Sequence, residues 1–123
     1  MNALLVDDDD AVAAEARRAL EARELWRVTH ARSLAEADRV LRAQAMQLLL
    51  VDAALALRWA ELGRVRQTSH DPLSVVMMTA SIDPALLQQA LAAEPHALVH
   101  KPFTAEQLVV STAAAVRGAE RLA

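Results

Sequence analysis

The sequence predicts an α/β domain built on a five-stranded parallel sheet, doubly wound in the order 2-1-3-4-5, with helices on both faces. Three observations carry this. Four apolar runs, Ala3 to Val6, Leu48 to Val51, Val75 to Met78 and Ala97 to Val99, are too short for helices and lack polar alternation, as strands buried on both faces require. Segments with apolar residues at helical spacing lie between them. Strand and helix therefore alternate along the chain, and right-handed crossovers follow.

The elements follow in order. The first strand, Ala3 to Val6, leads through Asp7 to Asp10 into a helix with Val12, Ala16, Ala19 and Leu20 on one face. Trp26 to His30 alternates apolar and polar, which suits an edge strand with one face partly wet. Ser33 with Glu36 is a capping-box pattern, and Leu34, Ala37, Asp38 and Leu41 form the stripe of the next helix, where Asp38 is the weak member. Leu48 to Val51 is the third strand. Ala53 to His70 has the least regular pattern; a loop and then a helix from near Ala60 are expected, with Asp71 and Pro72 as the break after it. Val75 to Met78 is the fourth strand, and Asp83 before Pro84 marks a helix start. Ala97 to Val99 is the fifth, Thr104 with Gln107 is a second capping box, and Gly118 is the expected end of the last helix. The count is five strands and five helices.

Composition narrows the chemistry. A chain of 123 residues, 54% hydrophobic, fits one self-sufficient domain over residues 1–123. With no cysteine there is no disulfide framework, thiol nucleophile, zinc ribbon or iron–sulfur site. The two glycines, Gly63 and Gly118, leave no phosphate-cradling glycine-rich loop and no nucleophile elbow. A net charge of −3 gives no footprint for nucleic acid. Neither a membrane span nor a signal peptide is readable, and a cytoplasmic location with no membrane contact is expected. Of the 13 basic residues, all but Lys101 are arginine. A compact point charge has been kept at one place.

In this strand order the crossovers on either side of strands 1 and 3 leave in opposite directions and open a crevice at the carboxyl ends. Asp7 to Asp10, Asp52, Thr79 with Ala80, and His100-Lys101-Pro102 all sit at that rim. Taken singly they have plain readings: aspartates as a solvated turn or helix cap, Thr79 satisfying a backbone group, Lys101 a surface residue. Their joint placement at four strand ends argues otherwise. Carboxylates from adjacent strand ends repel by about 4 kcal/mol per pair at ~4 Å and an effective dielectric near 20, so a cation is expected among them. Hard oxygen ligands favour Mg²⁺. His96 and His100 are assigned no ligand role, and Trp26 and Trp59 read as packing residues.

At these residues the chain resembles the receiver domain of bacterial two-component response regulators. The motifs are Leu-Leu-Val-Asp7-Asp8-Asp9, Leu-Leu-Leu-Val-Asp52, Met-Met-Thr79-Ala80 and Val-His-Lys101-Pro102-Phe103, which span essentially the whole chain in order. The resemblance implies the flavodoxin-like fold, in a single domain that is also compatible with the N-terminal place in a longer regulator. It implies Asp52 as phosphoacceptor from a phosphohistidine on a sensor histidine kinase or histidine phosphotransfer protein, with a downstream effector domain or protein as the output. It also implies Mg²⁺ on Asp7, Asp8, Asp52 and the Ala54 carbonyl. Lys101 would pair with Asp52 and then with a phosphoryl oxygen, Thr79 would donate its hydroxyl to that group, and Ala54 and Ser81 would flank the path of hydrolytic water.

The departures are local. Receivers usually carry Met-Pro and a glycine after the phosphoacceptor, where this chain has Ala53-Ala54-Leu55-Ala56-Leu57-Arg58-Trp59. Leu98 stands three before Lys101, where an aromatic is usual, and Glu94-Pro95 replaces Gly-Ala. These features support a second reading, a phosphorylation-independent pseudo-receiver that acts as an interaction module. A haloacid-dehalogenase-like phosphatase also combines aspartate, hydroxyl, lysine and Mg²⁺. Its order differs, since here Ala11 follows Asp10 where Gly-Thr is needed, and only Glu106 and Glu120 follow Lys101.

Overall fold

The computed structural model describes residues 1–22, 25–68 and 73–122. The elements are β1 (Asn2–Val6), α1 (Asp10–Glu21), β2 (Arg27–Ala31), α2 (Leu34–Ala43), β3 (Leu48–Asp52), α3 (Ala53–Leu57), α4 (Leu62–Thr68), β4 (Ser74–Thr79), α5 (Pro84–Ala92), β5 (Ala97–His100) and α6 (Ala105–Leu122). The five strands form one parallel sheet in the order β2-β1-β3-β4-β5. Among the described residues no helix is long and apolar enough to cross a membrane.

The pleat divides the core in two. Leu4, Val6, Leu49, Val51, Val75 and Met77 point to one face and pack with residues of α2, α3, α4 and α5. Their neighbours Ala3, Leu5, Leu48, Leu50, Val76 and Met78 point to the other and pack with α1 and α6. Alternate residues serving opposite cores is why these runs are apolar throughout. Register then aligns the strand ends: Val6 pairs with Val51, Asp52 with Met78, and Thr79 with His100. Polar residues placed one step past the apolar runs are thereby brought to a common rim.

Five local expectations are corrected. On α1, Ala13 is buried and Val12 only partly so, because the buried stripe runs Ala13, Ala16, Ala19, Leu20. The edge strand begins at Arg27, and Trp26 is buried ahead of it. Residues 53–57 are helical rather than a loop: a run of alanine and leucine has high helix propensity, and the Asp52 carboxylate caps it by accepting from the Leu55 N–H at 3.2 Å. The following helix starts at Leu62, so the described residues hold six helical segments, not five. Gly118 does not end α6, which runs on to Leu122; no glycine has a positive φ, and the turn after α5 is instead made by Glu94 at φ 54°. The expected break at Asp71 and Pro72 lies outside the described residues.

The start signals act as written, with one variation. Thr104 and Gln107 form a reciprocal capping box, the Gln107 N–H donating to Thr104 Oγ1 at 3.1 Å and the Thr104 N–H to Gln107 Oε1 at 2.9 Å. Ser33 accepts from the Glu36 N–H at 3.2 Å, but the Glu36 carboxylate reaches one residue further back, to the Arg32 N–H at 2.8 Å.

Candidate functional site

The rim at the carboxyl ends of β1, β3 and β5 is organised around Lys101. Its ammonium donates to Asp7 Oδ2 at 2.7 Å and to Asp52 Oδ1 at 2.8 Å. The Lys101 side chain is 10% exposed, that of Asp52 19% and that of Asp7 1%. Burial pulls the Lys101 ammonium toward neutrality, but its hydrogen bonds to Asp52 and Asp7, and their charges, pull the other way and win. Its pKa lies above the ordinary lysine value. The Lys101 N–H also donates to the Thr79 carbonyl at 2.8 Å, which fixes the stem of the side chain to the end of β4.

The other oxygens of both carboxylates are held by local backbone. Asp7 Oδ1 accepts from the Asp9 N–H at 2.9 Å, and Asp9 in turn caps α1. Asp52 Oδ2 accepts from the Leu55 N–H, so this residue is both the last of β3 and the cap of α3. Thr79 is 2% exposed, and its Oγ1 accepts from the Ser81 N–H at 3.0 Å. The hydroxyl keeps its own hydrogen for another acceptor.

Of the residues singled out by sequence, Asp7, Asp52 and Lys101 are in direct contact, and Thr79 is linked to them through the Lys101 backbone. Asp8 is exposed and has no ion pair among the described residues. Ala54 is exposed in the first turn of α3, where a helical carbonyl is directed along the axis toward the next turn. No three His, Asp or Glu side chains among the described residues stand close enough together to hold a metal ion. The donor chemistry nevertheless suits a hard cation, because two carboxylates already converge on one positive charge. A groove between α1 and the start of α6, lined by Glu15, Arg18, Phe103 and Glu106 among others, includes none of these residues.

Sequence reasoning missed three contacts. His30 Nε2 lies 2.8 Å from the Asp7 carbonyl, and since a carbonyl only accepts, this ring nitrogen carries the hydrogen. Asp38, read as a flaw in the α2 stripe, accepts from Trp59 Nε1 at 3.0 Å. His96 is a structural residue at the opposite end of β4, where its Nδ1 accepts from the Val75 N–H at 3.0 Å. For His30 the available signal was its place on the strand beside β1; for Asp38 it was a lone carboxylate in an apolar stripe.

A model of the response regulator receiver domain matches residues 3–113. Among curated proteins no sequence match is found. Similar solved structures include the N-terminal domain of a response regulator/sensory box/GGDEF three-domain protein from Carboxydothermus hydrogenoformans. It is 24% identical, with 98% of each chain covered and a TM-score of 0.79. A CheY-like receiver domain protein from Methanospirillum hungatei is 21% identical, with 99% of this chain and 98% of that one covered and a TM-score of 0.81. A response regulator protein from Burkholderia pseudomallei, solved with a phosphorylated aspartic acid, a calcium ion and citrate, is 23% identical. There 98% of this chain and 72% of that one are covered, with a TM-score of 0.75. At these identities the structural likeness speaks to fold. The sheet order, the polar strand ends and the family match over residues 3–113 agree, and the chain belongs to the response regulator receiver domain family.

Proposed function

We propose that this chain is a phosphorylatable receiver, one domain over residues 1–123, in which Asp52 accepts a phosphoryl group from a phosphohistidine of a sensor histidine kinase or histidine phosphotransfer protein. The observation that carries the reading is the Lys101 ammonium held between Asp52 and Asp7 in a nearly buried rim. Asp52 Oδ1 attacks phosphorus, the P–N bond to the donor imidazole breaks, that nitrogen recovers a proton from solvent, and an acyl phosphate remains on Asp52. Charge is the obstacle, because a carboxylate approaches an anionic group. Preorganised positive charge lowers that barrier.

Lys101 has a raised proton affinity and stays cationic throughout. It moves from the carboxylate to a phosphoryl oxygen, and Thr79 donates its free hydrogen to another. Asp7, Asp8 and Asp52, with the Ala54 carbonyl once the first turn of α3 opens, are the residues that would hold Mg²⁺; the ion supplies charge neutralisation at the phosphoryl oxygens. The loaded state then controls an effector domain or protein. The domain is a signalling switch rather than an enzyme with external turnover, and its setting is the cytoplasm. The calcium ion and phosphorylated aspartic acid of the Burkholderia pseudomallei relative support a cation and an acyl phosphate in this fold.

A phosphorylation-independent pseudo-receiver is the second reading. Its support is α3, whose first turn engages the Ala54 backbone in helix directly after Asp52. Incubation with acetyl phosphate and Mg²⁺ followed by intact mass separates the two. The phosphoacceptor reading expects one added phosphoryl group on the wild type and none on Asp52→Asn. No addition to the wild type overturns it in favour of the pseudo-receiver.

A further inference from the structure

Asp7 has every polar group partnered. Its N–H donates to the Ala31 carbonyl at 3.2 Å, its Oδ1 accepts from the Asp9 N–H, its Oδ2 accepts from Lys101, and its carbonyl accepts from His30 Nε2 at 2.8 Å. The last of these bonds comes from outside the backbone ladder. β1 and β2 stop pairing at Val6 and Ala31, so the Asp7 carbonyl lies past the final pair, on a residue that is 1% exposed. A carbonyl in that place is costly without a partner, and the His30 ring supplies one. Resting on the cation-binding phosphoacceptor reading above, we propose that His30 is a positioning residue that sets, through the Asp7 carbonyl, the direction in which Asp8 is presented to a divalent cation.

Three features fit His30 for that task. The Asp7 carbonyl belongs to the planar peptide unit that carries the Asp8 N–H, so holding this oxygen orients the whole unit. The peptide on the other side of Asp8 is held as well, because the Asp9 N–H donates to Asp7 Oδ1. Asp8 itself is exposed and has no ion pair among the described residues, so its backbone is fixed at both ends while its carboxylate is left for a ligand. His30 is also rigidly placed. It pairs with Leu5 within the sheet and shares the face of Val28, which packs in the core with α1. Its neighbours hold the same loop: the Ala31 carbonyl takes the Asp7 N–H, and the Arg32 guanidinium bonds both carboxylate oxygens of Asp10 at the start of α1. Three consecutive residues at the end of β2 thus clamp both ends of the acidic run. Arg32 and Asp10 are exposed, so their pair adds little alone; the part-buried His30 contact is the stronger hold.

The test is a Mg²⁺ titration of the full chain followed by amide NMR, on wild type, His30→Gln, His30→Leu and His30→Val, with urea midpoints measured on the Mg²⁺-free proteins. Glutamine offers a neutral amide donor in place of the ring N–H, whereas leucine and valine fill the site without one. The two donorless variants are expected to keep the fold and to bind Mg²⁺ about 10- to 100-fold more weakly, the cost of removing a group that orients a ligand. Their Asp8 and Asp9 amides should be displaced before any Mg²⁺ is added. His30→Gln should bind Mg²⁺ as wild type does. A merely structural His30 would lower the urea midpoint and leave the Mg²⁺ affinity alone. Wild-type affinity in both donorless variants, loss of the fold in both, or a glutamine variant as weak as leucine overturns the proposal. A wild type whose Asp8 and Asp52 amides do not respond to Mg²⁺ overturns the cation-binding reading instead, and this inference falls with it.

Discussion

Trp59 Nε1 donates to the Asp38 carboxylate at 3.0 Å, and this bond ties the segment that follows Asp52 to α2. The indole is 6% exposed and packs with Leu55, Ala56 and Leu62 in the core on that face. The apolar stretch that replaces the usual Met-Pro and glycine is therefore a packed element with its own polar anchor.

Removing the anchor from the acceptor side leaves a buried indole N–H without a partner. Asp38→Ala is expected to destabilise the domain by about 1–3 kcal/mol, and Asp38→Asn by less, because the amide oxygen still accepts. Urea unfolding midpoints at constant slope measure this. An unchanged midpoint in Asp38→Ala would show that the bond contributes nothing.

Acid should weaken the joint between β4 and β5. His96 Nδ1 accepts from the Val75 N–H, so it must be unprotonated, and burial followed by the charge of Arg66 holds the ring below the ordinary histidine value of 6.5. The unfolded chain binds this proton more readily. The stability contributed by His96 is thus fully present above pH 6.5 and is lost as pH falls through the lowered folded value. His96→Gln, which retains an acceptor without a charge, is expected to show a flatter stability profile across that window. Parallel profiles for the two proteins would contradict the assignment.

The glycines inside helices are replaceable. A methyl group built at Gly118 meets its nearest neighbour, His96 Cδ2, at 3.7 Å, an ordinary contact, and one at Gly63 meets nothing within 4 Å. Neither has a positive φ. Gly63→Ala and Gly118→Ala should each stabilise by about 0.5–1 kcal/mol, read as a rise of a few degrees in Tm. A fall in Tm at Gly118 would mean that the close approach of α6 to the His96 ring has no room to give.

Lys101→Met tests the charge balance of the rim. It leaves Asp7 and Asp52 facing each other without their common partner, one of them almost fully buried, and a loss of about 3 kcal/mol or more is expected near neutral pH. Millimolar Mg²⁺ should recover much of that loss by taking the vacated place. Thermal melts with and without Mg²⁺ report both parts; equal melts in wild type and variant, or no response to Mg²⁺, would count against a cation-binding pair.

The strands were legible because burial on both faces leaves a direct mark, as in Leu48 to Val51, where every residue is apolar and fully buried. The rim was legible for the same reason: Asp52, Thr79 and Lys101 follow such runs directly, and register does the rest. What stayed hidden depends on partners far along the chain. α3 has too uniform an apolar composition to show a period, and its cap, Asp52, also reads as a strand end. Asp38 finds its reason 21 residues away in Trp59. Gly118 carries the local signature of a helix end, but Ala115 and Ala119 on either side are buried and keep α6 going. Ala54 rests on the resemblance alone and Asp8 on its place in the acidic end of the first strand, and the structure leaves both outside the Lys101 contact.

Because the chain holds a single lysine, its ammonium can be watched without interference. The most direct test of the account is the NMR signal of ¹³Cε,¹⁵Nζ-labelled Lys101, followed with pH and on addition of beryllofluoride and Mg²⁺. Lys101 is expected to stay protonated above the ordinary lysine value of 10.5, to shift sharply on beryllofluoride addition, and not to shift in Asp52→Asn. A signal that titrates as a free lysine, or that responds equally with and without the Asp52 carboxylate, would contradict it.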